Sequence, residues 1–81
     1  MRADICDPDD AAAVARFRDV LHRMGAQLEK KDWFIGVDLY ILKIGGEQLS
    51  VFSDAWSLDI EGSEDLVQRV LREYAHSSAQ P

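Results

Sequence analysis

The side chains able to do chemistry are few and scattered. Cys6 is the single cysteine, and His22 and His76 are the two histidines. A zinc site needs His, Cys or carboxylate ligands at recognised spacings, and neither histidine has such a neighbour in sequence. Asp7, Asp9 and Asp10 begin like a calcium loop. An EF-hand, however, passes through a central glycine to a glutamate at its twelfth position, and here Val14 and Arg18 occupy the later positions. No G-x-S-x-G elbow is present. Ser50, Ser53, Ser57 and Ser63 have no histidine close by, and Cys6 could meet His22 or His76 only in space. Gly45-Gly46 precedes Glu47, not a lysine, so it is not a phosphate cradle. The expectation is no catalytic residue, no metal and no cofactor, and a binding protein rather than an enzyme.

One segment is chemically distinctive. Asp54, Asp59, Glu61, Glu64 and Asp65 fall between residues 54 and 65 with no Lys or Arg among them. General acid–base work would need a cleft that drives two carboxyl pKa values apart, and nothing in the segment predicts burial. Two readings remain. The acids are a solvated strand edge followed by helix N-terminal residues, or they form a patch that steers a basic partner. Trp56 is then either a core residue beside Leu58 and Ile60 or the anchor of that contact.

Composition sets the frame for these residues. The 81-residue chain carries fifteen acids against nine bases, for a formal charge of -6. Phosphate neutralisation needs Lys and Arg, so neither nucleic acid nor an anionic membrane is an expected partner. No apolar run approaches the roughly 20 residues of a membrane helix. The opening residues carry Asp4 and Asp7 where a secretory leader would be apolar. A single cysteine permits no internal disulfide. Together these features fit a bacterial cytoplasm.

The elements that must position the residues follow from periodicity. Residues 1–6 read as a lead-in. Asp7 is placed to cap a helix over 8–24, with Pro8 in its first turn. Val14, Phe17, Leu21 and Met24 form the apolar stripe of that helix, and Gly25 ends it. A short strand over 26–29 turns at Lys30-Lys31-Asp32. Trp33, Ile35, Val37, Leu39 and Ile41 then alternate as one long strand. Gly45-Gly46 is a hairpin signal, because primed turns need positive φ. Strands over 47–53 and 56–61 follow. Ser63 caps a second helix whose stripe is Leu66, Val67, Val70, Leu71 and Tyr74, and residues 76–81 read as a frayed tail. The fold class expected is α+β: a two-layer sandwich in which an antiparallel meander of three or four strands is flanked in sequence by the two helices.

A hairpin at Gly45-Gly46 pairs Leu42 with Leu49 and Tyr40 with Val51 on one face. The other face carries Leu39, Ile41 and Phe52 in the same pairing, with Val37, Ile35 and Trp33 further along. Both faces are apolar, and two helices cover one. The Trp33 side has the longer apolar series and is taken as core. Tyr40, Leu42, Leu49 and Val51 become the expected interface. The functional expectation is a small acidic protein-interaction module, binding a protein partner or a second copy of itself. An inhibitor or immunity-like protein that masks a basic enzyme is one form of it. The alternative is a homodimeric small-ligand binder, or an accessory enzyme subunit with its site at an interface involving Tyr40, Asp38, Cys6 or the histidines.

Overall fold

The computed structural model describes residues 1–78 as β1 (Arg2–Cys6), α1 (Ala11–Arg23), β2 (Gln27–Phe34), β3 (Val37–Ile44), β4 (Glu47–Ser53), β5 (Leu58–Glu61) and α2 (Glu64–Ser78). It is an α+β sandwich with both helices on one face of an antiparallel sheet. The strand order is β1-β5-β4-β3-β2, so β2 to β5 form a meander and β1 adds to its far edge. Residues 1–6, expected as a lead-in, supply that fifth strand. Its backbone finds partners along β5, from Arg2 opposite Glu61 to Cys6 opposite Leu58. The expected tail is helical as far as Ser78, and residues 79–81 lie outside the described residues.

Helix α1 starts later than its acids suggest. Asp10, not Asp7, is the N-cap, and its carboxylate accepts from the Ala13 amide at 3.1 Å. Asp7 instead closes a turn of its own by accepting from the Asp9 amide. At the other end Gly25 takes φ +79°. Its N–H bonds the His22 carbonyl and the Ala26 N–H bonds that of Leu21, the paired bonds of a Schellman stop. Ser63 caps α2, its hydroxyl accepting from the Leu66 amide.

The core lies between the helices and one sheet face. Phe17 and Leu21 from α1 and Leu66, Val67 and Val70 from α2 pack with Ile44, Leu49, Val51 and Ile60. Phe17 meets Tyr74 edge-to-face at 6.2 Å between ring centroids, joining the two helices.

The expected interface is therefore core. Leu42, Leu49 and Val51 are buried, and Tyr40 packs partly buried against them. The reason is a turn inside the expected long strand. Phe34 pairs with Val37 across Ile35 and Gly36, and Gly36 has φ +78°. Two loop residues exchange odd for even positions between the strands. Trp33 consequently shares the helix face, while Val37, Leu39 and Ile41 take the opposite one. Lys30-Lys31-Asp32, expected as a turn, lies in edge strand β2. Charge there, with the register shift between Leu28 and Lys30, discourages strand addition by another chain.

Candidate functional site

The acidic segment does not form one patch. Asp54 lies in the β4–β5 loop, where its Oδ1 accepts from the amides of Trp56 and Ser57, both at 2.8 Å. Those two backbone bonds hold its carboxyl below the usual carboxylate range. The tight turn expels Trp56, which is 84% exposed and does not join the core with Leu58 and Ile60. Strand β5 then carries Asp59 and Glu61 along the helix-free face. Glu61 ends β5, and Glu64 and Asp65 open α2 beyond it, at the opposite end of the strand from Trp56.

Asp59 is engaged within the chain. Its Oδ2 receives the Arg2 guanidinium at 3.2 Å, while Oδ1 is buried without a hydrogen-bond partner. Asp4 stands directly opposite on β1. Although Asp4 is largely exposed, partial desolvation and the neighbouring Asp59 carboxylate raise its pKa. A hydrogen bond between the two carboxyl groups, with the proton on Asp4, contributes to that rise.

The other titratable cluster is at the β1–α1–α2 junction. Burial raises the Cys6 thiol, which contacts the Tyr74 hydroxyl. Arg16 stacks on the Tyr74 ring at 4.4 Å. A raised thiol pKa means little thiolate at neutral pH, the opposite of an activated nucleophile. Among the described residues no three His, Cys, Asp or Glu side chains converge as metal ligands. None of the described helices is long and apolar enough to cross a membrane.

Two surfaces stand out, neither visible in the acidic segment. The first is on the helix side. The two helices leave β2 and the adjoining part of β3 uncovered, and a groove of about 410 Å³ runs between them and α1. Val14, Phe17 and Leu21 form its helix wall, and Leu28, Tyr40 and Leu42 its floor. Lys31 reaches over the Tyr40 ring, with Nζ 5.4 Å from the centroid. Leu28 is 59% exposed and Trp33, at the same side of β2, is 70% exposed. Ile35, 93% exposed in the β2–β3 turn, and Trp56 lie at the same end of the sheet. The second surface is the helix-free face. Register places two adjacent rows there: Lys30, Ile41, Ser50, Glu61 and Arg2 in one, and Asp32, Leu39, Phe52, Asp59 and Asp4 in the next.

Sequence reasoning missed Leu28, Trp33 and Ile35 as surface residues because it placed the turn at Lys30-Lys31-Asp32, whereas the chain reverses at Ile35-Gly36. The signal was Gly36, a lone glycine within an apolar alternation. The chain matches no protein-family model, and no curated protein or solved structure resembles it significantly.

Proposed function

We propose that this domain is a protein-binding module. The observation that carries the reading is the exposure of Leu28, Trp33, Ile35 and Trp56 beside and at the end of an apolar groove. Large exposed apolar side chains, two of them tryptophan, are the usual anchors of protein interfaces. The groove is open to solvent beside α1 and lined mainly by apolar side chains, which suits an apolar stripe of a partner. The net charge of -6 favours a basic partner at the rim, as an inhibitor-like or regulatory protein would meet. The acids 54–65 contribute to that field without forming the contact, because they are spread over both ends of β5 and Asp59 is paired.

The groove volume also falls within the span of small-molecule sites, roughly 300–1,000 Å³. That supports a second reading, an apolar ligand held against Tyr40 with Arg18 and Ser53 as its polar contacts.

The test is affinity capture from source-cell lysate with the wild-type chain and a Trp33→Ala/Trp56→Ala variant, both checked for folding by circular dichroism. Both tryptophans are exposed, so the fold is expected to be unchanged. Loss of a stoichiometric partner in the variant supports the module. An identical set of captured proteins from both chains refutes it. Binding of a fluorescent fatty acid to the wild type, without a protein partner, selects the second reading.

A further inference from the structure

The helix-free sheet face carries an arrangement of charge that is complementary to itself. On β2, Lys30 and Asp32 are two residues apart on this face, and their head groups lie 3.1 Å apart. On β1, at the far edge, the Arg2 and Asp4 positions repeat the same order, with the Arg2 guanidinium reaching across to Asp59 and over the Phe52 ring of the second row. Between the flanks, Ile41 of the first row neighbours Leu39 and Phe52 of the second, all three half-buried.

Consider a two-fold axis in the plane of this face, perpendicular to the strands and passing between the two rows. It exchanges the rows and leaves each strand stacked on its own copy. Lys30 then meets Asp32 of the other copy, Arg2 meets Asp4, and Ile41 meets Leu39. An isologous contact must be self-complementary in this manner. An axis parallel to the strands instead brings Asp32 against Asp4 and Lys30 against Arg2. Only β5 stacks like charges in the first arrangement, Glu61 on Asp59, and there Arg2 already bonds Asp59.

We infer that two copies of this chain associate face to face through this sheet surface, in that orientation. Sheets pack about 10 Å apart with strands crossing near 30°, and the long Lys30 and Arg2 side chains span the resulting offset. Five strands about 4.8 Å apart and two to three rows deep give roughly 500 Å² per copy. This total of about 1,000 Å² lies at the small end of specific interfaces. The association is accordingly expected at micromolar concentration, not nanomolar. It leaves the α1 groove and Trp33 free, because these are on the opposite face, and it stands apart from the binding reading above.

The test is sedimentation velocity between about 5 and 500 µM of the wild type, of Lys30→Asp, of Asp32→Lys, and of the two variants mixed. Each variant alone places like charges together in its own dimer and is expected to weaken self-association at least tenfold. Mixing them restores opposite charges at both symmetry-related contacts, and the dimer should return to within a few-fold of wild type. The intramolecular pair stays broken in both variants, so recovery on mixing reports the contact between copies. A wild type that is monomeric throughout overturns the inference and leaves the face to a different protein. A dimer indifferent to the single changes, or no recovery on mixing, overturns it equally.

Discussion

Asp4 and Asp59 face each other across the β1–β5 pair, and only Asp59 has a cation, Arg2 at 3.2 Å. Partial desolvation and its neighbour's carboxylate raise the Asp4 pKa. For an acid, a folded-state pKa above the unfolded one means that the native state binds the proton more tightly. Stability then increases as pH falls through the folded pKa and is lost again as pH rises. Asp4→Asn removes the like charge and places an amide donor opposite Asp59. It should stabilise the fold by about 0.5 kcal/mol at neutral pH, the scale of a cross-strand pair. Urea unfolding at pH 7 checks this, and the gain should shrink at pH values below the Asp4 titration.

The two sheet faces predict unequal costs for similar truncations. Leu49 is fully buried in the core, and Leu49→Ala should cost about 3 kcal/mol. Leu39 is half-buried on the helix-free face, and Leu39→Ala should cost under about 1 kcal/mol at concentrations where the chain is monomeric. Equal losses in chemical denaturation would contradict the face assignment.

How far the sequence discloses this follows from the same two leucines. Helix α1, helix α2 and the Gly45–Gly46 hairpin are legible because periodicity, caps and positive φ act within a few residues. The face assignment was not. Trp33, Ile35, Val37, Leu39 and Ile41 alternate without a break in sequence, yet the chain reverses between Phe34 and Val37. Periodicity of two is blind to a two-residue turn, so it places Trp33 and Leu39 on one face, whereas they lie on opposite faces. β1 was illegible for a different reason. Arg2–Cys6 is too short to show a pattern, and its strand character comes from β5, more than fifty residues away. The surfaces depend on that long-range pairing: Arg2 and Asp59 meet only once β1 has docked.

Gly36 makes the turn that governs the register. Its φ of +78° is open to glycine and strained for other residues. No atom lies within 4 Å of where a Cβ would stand, so the cost of Gly36→Ala is conformational, not steric. About 1 kcal/mol is expected, with amide exchange across the β2–β3 pair accelerated and exchange in α2 little changed.

Cys6 should be a slow thiol. Burial raises its pKa, only partly opposed by contact with the Tyr74 hydroxyl. Alkylation by iodoacetamide at pH 7.5 is expected to be at least about tenfold slower than in the unfolded chain. Tyr74→Phe keeps the ring against Phe17 but removes the hydroxyl. It should therefore move the thiol titration further up while leaving the melting transition near that of the wild type. An alkylation rate equal to that of the unfolded chain would show that the β1–α2 junction is open.

Asp54 and Trp56 give the last prediction. Two backbone N–H donors hold the Asp54 carboxyl low, so the charged form secures the 54–57 turn. An acid with a depressed folded pKa contributes stability above its unfolded pKa and loses it as pH falls through the folded one. Protection of the Trp56 and Ser57 amides should therefore persist to pH values below those at which ordinary carboxylates protonate, then fall. Asp54→Asn keeps an acceptor oxygen without the charge and should retain partial protection at all pH values. Asp54→Ala should abolish it and free Trp56, read as a drop in its fluorescence anisotropy relative to a Trp33→Phe background. If the turn holds its amides equally well in Asp54→Ala, the carboxylate does not set the direction of Trp56. The tryptophan would then owe its exposure to the chain path between β4 and β5 alone.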